Sequence, residues 1–64
     1  MRCVKKYDYY AIVKMDPCDK QMLGVGGNYA IIDTFCDKDI KLCNLVETCN
    51  TLQEAEERVE NEYQ

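Results

Sequence analysis

Alternation of apolar and polar positions predicts that the chain begins with a β-strand. The stretch from Arg2 to Met15 is rich in Tyr, Val and Ile, which favour strands. Alternation puts five side chains on one face, namely Tyr7, Tyr9, Ala11, Val13 and Met15. The opposite face is half apolar, because Tyr10 and Ile12 alternate there with charged residues. An Asp-Pro pair follows, and because this pair favours a type I turn we predict a turn over Asp16–Asp19.

Two further strands follow the glycine-rich middle of the chain. We predict a second strand from Tyr29 to about Cys36 and a third from Ile40 to about Thr48. The polar Asp37–Asp39 segment between them has a length suited to a β-hairpin. Alternation in the third strand breaks near Cys43 and Asn44, which indicates a β-bulge there.

The last part of the chain has the pattern of an amphipathic helix. Thr51 precedes Glu54 at the spacing of a capping box. Apolar residues then recur at helical spacing, at Leu52, Ala55, Val59 and Tyr63. We therefore predict a helix from Leu52 to about Glu62. The expected fold is a single α+β domain over residues 1–64, a three-stranded antiparallel meander (β-β-β-α) with the C-terminal helix packed on one face.

The segment "GVGGN", Gly24 to Asn28, resembles a phosphate-binding loop in its glycine content only. Such loops lead from a strand into the N-terminus of a helix, and the P-loop form ends in Lys followed by Ser or Thr. Here the segment leads into the strand at Tyr29, so we predict a bend, since Gly26, Gly27 and Asn28 tolerate the positive φ that a hairpin connection or bulge demands. The preceding Gln21–Val25 is either a short continuation of the sheet or a loop.

Composition indicates a small globular protein. With 64 residues, 47% hydrophobic and 31% charged, the chain has the composition of one domain with a marginal core. The longest apolar run, Tyr9–Val13, is too short for a membrane span or for the apolar region of a signal peptide. We expect a soluble cytoplasmic protein that does not bind membranes.

Five cysteines raise the question of disulfides or metal. Their number is odd and no secretion signal is present, which argues against a disulfide framework. The nearest two, Cys43 and Cys49, are too far apart for the close pairs of zinc sites, and the chain has no histidine. We expect all five thiols to be reduced, with no metal and no cofactor bound.

Residue types that are missing narrow the possible activities. The chain has neither His nor Ser, which excludes serine–histidine and cysteine–histidine catalysis. Pairs of carboxylates remain, but a catalytic carboxylate needs a pocket that shifts its pKa, and one layer of sheet and helix rarely encloses one. We expect no enzymatic activity.

Charge is distributed unevenly along the chain. The net charge is −4, and the stretch from Thr51 to Gln64 sets Arg58 alone against five glutamates. One interpretation is a solvated face that keeps the protein soluble. The other is a partner-binding surface for a protein with a basic, nucleic-acid-binding surface, formed on the side away from the apolar stripe by Glu56, Glu57, Glu60 and Glu62. The same charge argues against direct binding of nucleic acid.

The sheet face away from the helix is a second candidate surface. Tyr10 and Ile12 are expected to be exposed there, and exposed apolar patches usually mark interfaces. We therefore predict a homodimer that associates through these residues, unless they are present only as good strand formers.

In size and charge the chain resembles the short acidic proteins with which bacteriophages inhibit host factors, anti-CRISPR proteins among them. This resemblance implies a non-enzymatic inhibitor that acts by steric and electrostatic blockade. The alternative is a homodimeric structural or regulatory module without an inhibitory role.

Overall fold

Four strands form one antiparallel sheet in the computed structural model, which describes residues 1–24, 26–35 and 39–63. The elements in chain order are β1 (Arg2–Lys6), β2 (Tyr10–Lys14), α1 (Pro17–Leu23), β3 (Tyr29–Asp33), a 3-10 turn (Leu42–Asn44), β4 (Leu45–Cys49), α2 (Leu52–Arg58) and a π-helical turn (Val59–Tyr63). Neighbouring strands follow one another in sequence order. The α+β class and the antiparallel sheet are confirmed, whereas the predicted number of three strands is wrong. Across the described ranges, every helix is too short or too polar to span a membrane.

The extra strand arises because the predicted first strand folds back on itself. The chain turns at 7–9, where the Tyr7 amide donates to the Tyr10 carbonyl at 2.7 Å. In the resulting hairpin Lys6 lies opposite Ala11 and Arg2 lies opposite Lys14. Alternation continues through this turn because tyrosine is a strong strand former, so the turn carries almost no sequence signal.

The predicted turn at Asp16–Asp19 is instead the start of α1. Asp16 is the N-cap, and its Oδ1 accepts from the Asp19 amide at 2.9 Å. Asp19 Oδ2 accepts in return from the Asp16 amide at 3.2 Å, which completes a capping box. The bond from the Asp19 amide is the main reason that the pKa of Asp16 is lowered. Of the undecided Gln21–Val25 segment, the first three residues belong to α1, and Val25 lies outside the described residues.

Two of the glycines have distinct structural roles. Gly24 ends α1 in the left-handed region at φ 67°, and its amide donates to the Lys20 carbonyl at 2.9 Å. Gly26, Gly27 and Asn28 do not use their tolerance of positive φ, because among the described residues only Gly24 has one. Gly27 is needed for close approach instead, since a Cβ there would lie 3.0 Å from both the Cys49 carbonyl oxygen and Thr48 Cβ. The segment does lead into β3, as predicted.

Irregular structure replaces the first half of the predicted third strand. Residues Leu42–Asn44 form a 3-10 turn, and β4 begins only at Leu45. The expected break near Cys43 and Asn44 is therefore real, but the bulge lies later: Ile32 pairs with Leu45 and Ile31 with Glu47, which leaves one extra residue between them. Cys36 and most of the predicted hairpin at Asp37–Asp39 lie outside the described residues.

The C-terminal helix agrees with its sequence prediction. Thr51 Oγ1 accepts from the Glu54 amide at 3.1 Å, which forms the N-cap half of the predicted capping box. Ala55 and Val59 are fully buried, and Leu52 and Tyr63 are half-buried against the same cluster. After Arg58 the helix continues as the π-helical turn. The apolar stripe therefore fixes this helix to the sheet.

The sheet face under α2 is the one that was expected to be open. Ile12 is 0% exposed and packs with Ile31, Ala55 and Val59. Tyr10 is half-buried, with its ring centroid 5.3 Å from that of Tyr63. The predicted exposure of Tyr10 and Ile12 is therefore wrong, and a dimer interface that uses them would require α2 to leave the sheet. Alternation separates the two faces but does not say which of them receives the helix.

The opposite face is also covered. Its buried residues are Val13, Met15, Ala30 and Ile32, and the half-buried residues packed on them are Leu23, Ile40, Leu42 and Leu45. These covering residues come from the end of α1, from the segment before β4 and from the first residue of β4. The sheet therefore carries a core cluster on each face.

Candidate interaction surface on the C-terminal helix

The buried stripe of the C-terminal helix turns two carboxylates directly toward solvent. Glu57 and Glu60 are both exposed. Neither makes an ion pair with any described residue. Glu57 Oε1 accepts a long hydrogen bond from Gln53 Nε2 at 3.4 Å. Glu60 is still close enough to Lys5 for its charge to help raise the pKa of that amine, so Glu57 is the less compensated of the two.

The other two predicted partner-binding residues are paired within the chain. Glu56 is half-buried, and its Oε1 lies 3.8 Å from Lys5 Nζ on β1. Glu62 is exposed, and its Oε2 lies 3.6 Å from Arg58 Nη1 one turn earlier. Because both pairs remain in contact with solvent, the carboxylates keep part of their hydration. Each pair therefore contributes only about 0–1 kcal/mol to stability. The four predicted residues are thus unequal, and Glu57 and Glu60 are the least compensated.

Glu54 belongs to the same surface, although it is not among the four residues predicted from the sequence. It is half-buried and lines a shallow groove of about 200 Å³ together with Glu57, Arg58, Asn61 and Glu62. Its spacing from Glu57 and Glu62 places all three on one side of a helix, which is a signal that the sequence contains. We call Glu54, Glu57, Glu60 and Glu62 the acidic helix surface.

A polar cluster fixes the end of this helix to β4. Arg58 Nη1 lies 3.4 Å from Glu47 Oε1, and the Tyr63 hydroxyl donates to Glu47 Oε2. The hydrogen bond to Glu47, followed by burial, raises the pKa of Tyr63 to about 12. The neighbouring glutamates are therefore held on a helix that is attached at both its apolar and its polar side.

The raised pKa of Tyr63 predicts a loss of stability at high pH. Because the pKa rises from 10.0 in the unfolded chain to about 12 in the fold, its stabilising contribution is complete below pH 10 and disappears as the pH approaches 12. Tyr63→Phe, which lacks the phenol proton, should therefore lose less stability than the wild type across this interval. Urea unfolding at several pH values measures the difference, and equal losses in both proteins would contradict the prediction.

Cysteines divide into exposed and buried thiols. Cys3, Cys18 and Cys43 are free and exposed, whereas Cys49 is free and 2% exposed. Burial raises the pKa of Cys49, and the charge of Glu47 adds to this effect. Within the described ranges, no group of three or more His, Cys, Asp or Glu side chains is placed to hold a metal ion.

This difference predicts selective alkylation. Iodoacetamide at neutral pH should modify the three exposed thiols in the folded protein and leave Cys49 unmodified, because it is buried and remains protonated. Denaturant should then make Cys49 reactive. Peptide mass spectrometry measures both steps, and rapid native modification of Cys49 would show that β4 and α2 separate readily. The same experiment tests whether all five cysteines of the sequence are reduced.

The chemistry that this surface offers is electrostatic. Carboxylates at this spacing accept hydrogen bonds from guanidinium and ammonium groups, and charge-assisted bonds of this type are stronger than neutral ones.

No protein-family model, curated protein or solved structure matches the chain. The binding partner is therefore inferred from charge and geometry alone.

Proposed function

We propose that this protein is a non-enzymatic interaction protein whose acidic helix surface covers a basic, nucleic-acid-binding surface of a partner protein. The observation that supports this most strongly is the exposure of Glu57 and Glu60 without an ion pair to any described residue. The chain has eight Lys and Arg residues, two of which do neutralise Glu56 and Glu62. Two exposed carboxylates without an ion pair keep charge available to a partner, and Glu57 keeps the most, because Glu60 also interacts with the charge of Lys5.

These glutamates are unfavourable for the helix itself. Carboxylates near a helix C-terminus oppose the helix dipole, and Glu60 and Glu62 lie in the final turn. Glu56 and Glu60 are also a like-charge pair four residues apart, which costs a few tenths of a kcal/mol. A sequence selected for helix stability alone would place other residues here. A role outside the fold accounts for their presence.

The surface is also held ready for binding. The helix residues Ala55 and Val59 are fully buried, and Arg58 forms an ion pair with Glu47 of β4. A backbone that is fixed before binding loses little conformational entropy on association. Carboxylates presented in this way compete with nucleic-acid phosphates for the same Lys and Arg side chains of the partner, because both are anionic hydrogen-bond acceptors.

Blockade of a host factor, as in the short acidic phage proteins that include anti-CRISPR proteins, is the form of action that we propose. It requires a cytoplasmic basic partner and neither a cofactor nor a catalytic group in this chain. The alternative of a homodimeric module has less support, because its proposed interface at Tyr10 and Ile12 is covered by α2. Self-association through another surface is tested by light scattering at micromolar concentration.

Neutralising the two outward carboxylates tests the proposal. Glu57→Gln combined with Glu60→Gln should lower the association rate with a lysine decapeptide roughly threefold or more at low salt. Stability should stay equal or rise slightly, since helix repulsion is relieved. The matched control is Gln21→Lys combined with Met22→Lys on α1, which changes the net charge equally at two exposed positions. Stopped-flow fluorescence at several salt concentrations measures the rates.

The position of the changed residues, and not the change in net charge, should determine the association rate. The helix variant should lose rate and also show a weaker dependence on salt, while the α1 control keeps most of the wild-type rate. Equal losses in both variants would mean that only the total charge matters. Unchanged rates in the helix variant would mean that the acidic helix surface is merely solvated.

A further inference from the structure

Two aromatic side chains lie exposed side by side at one end of the sheet. Tyr9, in the turn between β1 and β2, is 54% exposed, and Phe35, just after β3, is 66% exposed. Their ring centroids are 5.0 Å apart at an interplanar angle of 75°. The two rings, nearly at a right angle, border an open groove on two sides. Exposed aromatic pairs of this kind are enriched at binding sites.

Hydrogen bonds fix the backbone of both aromatic residues. The Thr34 amide donates to the Tyr9 carbonyl at 2.9 Å, which links the β1–β2 turn to the end of β3. The Phe35 amide donates to Asp33 Oδ1 at 2.7 Å. The two aromatic residues are thus attached to the sheet and not to a free loop end, so little ordering is needed when a ligand binds.

The charges around the pair favour a single cation. Tyr9 and Phe35 line a shallow groove of about 380 Å³ with Lys6, Asp8 and Thr34. Asp8 makes no ion pair with the described residues, and the Asp33 carboxylate lies at the backbone of Phe35. Among the described residues, Asp8 supplies the carboxylate that lines the groove and Lys6 its ammonium group, while Asp33 Oδ1 is already bonded to the Phe35 amide. Lys6 would repel a second cation, so the groove fits one positively charged side chain and not a run of them.

The aromatic pair lies at the same end of the sheet as the C-terminus of the acidic helix surface. Tyr10, which follows Tyr9, contacts Tyr63 at a centroid distance of 5.3 Å. Glu60 and Glu62 are in the helical turn that ends at Tyr63. Tyr9 alternates with Tyr10, so its ring lies toward the opposite face of the sheet, and a partner that reaches both surfaces has to extend around this end of the sheet.

We propose that Tyr9, Phe35 and Asp8 form a site for one arginine side chain of the basic partner. The planar guanidinium stacks on an aromatic face while its N–H groups donate to the Asp8 carboxylate. Arginine suits this site better than lysine because it is less strongly hydrated and donates in two directions from one plane. This inference rests on the proposed function and names an anchor for the same partner.

Three peptides that differ only in one side-chain type test the site. Each alternates glycine with arginine, lysine or the uncharged arginine isostere citrulline. Titration into the labelled protein is followed by the NMR signals of the Tyr9 and Phe35 rings and of the Glu57 and Glu60 side chains. The ring signals should shift with affinity in the order arginine, lysine, citrulline. Phe35→Leu keeps an apolar side chain without a π-face and should weaken arginine-peptide binding about two- to fivefold. Val46→Ala, at an exposed apolar residue of β4, is the control and should leave it unchanged.

The outcomes separate this inference from the proposed function. If the arginine peptide shifts Glu57 and Glu60 but not the rings, the arginine site is wrong and the acidic helix surface remains. If citrulline shifts the rings as strongly as arginine, the groove binds by apolar contact and the cation site is wrong. If neither the rings nor the glutamates respond to any of the peptides, both proposals fail.

Discussion

Replacing Ile12 with aspartate is expected to unfold the protein. Ile12 is 0% exposed between the sheet and α2, and it packs with Ile31, Ala55 and Val59. Removing its apolar side chain costs about 2–5 kcal/mol. An unpaired carboxylate at the same position costs several kcal/mol more. Since a domain of this length has a total stability of roughly 3–10 kcal/mol, the sum exceeds what the fold can lose.

Met22→Asp is the matched control, because Met22 on α1 is 81% exposed. It should change the free energy of unfolding by less than about 0.5 kcal/mol. Circular dichroism and urea titration of both variants measure the effect. A folded Ile12→Asp protein that differs from the wild type only in oligomeric state would contradict the structure, and it would restore the idea that this sheet face is an interface.

Adding a single methyl group at Gly27 is the second large effect that we expect. A Cβ there would lie 3.0 Å from the Cys49 carbonyl oxygen and 3.0 Å from Thr48 Cβ. Both obstructing atoms belong to residues of β4 and cannot rotate away, so the backbone at Gly27 or in β4 must move. Gly27→Ala should therefore destabilise the protein by about 1–3 kcal/mol, the range for overpacking a close contact.

Gly26 offers a neighbouring control. A Cβ at Gly26 meets nothing within 4 Å, and its φ is not in the left-handed region. Gly26→Ala should be neutral, or should stabilise the fold by about 0.4–1 kcal/mol because it restricts the unfolded chain. Chemical denaturation compares the two variants. Equal stabilities would mean that residues before β3 do not pack against the end of β4 as described.

The elements that the sequence predicted well are those defined by local chemistry. The Thr51 cap and the stripe through Ala55 and Val59 depend only on residues within the helix, so their spacing is enough. The short helix α1 was missed although its Asp16-Pro17 start is equally local. An Asp-Pro pair begins both type I turns and helices, and the seven helix residues Pro17–Leu23 show no apolar stripe that would decide between them; none of the seven is buried.

Contacts between distant segments could not be predicted from one sequence. Alternation placed Tyr10 and Ile12 on one face correctly, but the choice of face for α2 depends on the whole chain. The binding surfaces also depend in part on contacts between distant segments. Glu57 and Glu60 were predicted by helical periodicity, whereas the pairing of Glu56 with Lys5 requires β1 to lie beside the helix. The Tyr9–Phe35 pair likewise depends on the register between separate strands.

The most direct test of the acidic helix surface is affinity capture from the native host with three immobilised proteins. These are the wild type, the Glu57→Gln and Glu60→Gln double variant, and the Gln21→Lys and Met22→Lys control. We expect the wild type and the control to retain a basic, nucleic-acid-binding protein that the helix variant does not retain. The wild type should also release that protein from its nucleic acid. Retention of the same proteins by all three, or of no basic protein by the wild type, would contradict the proposed function.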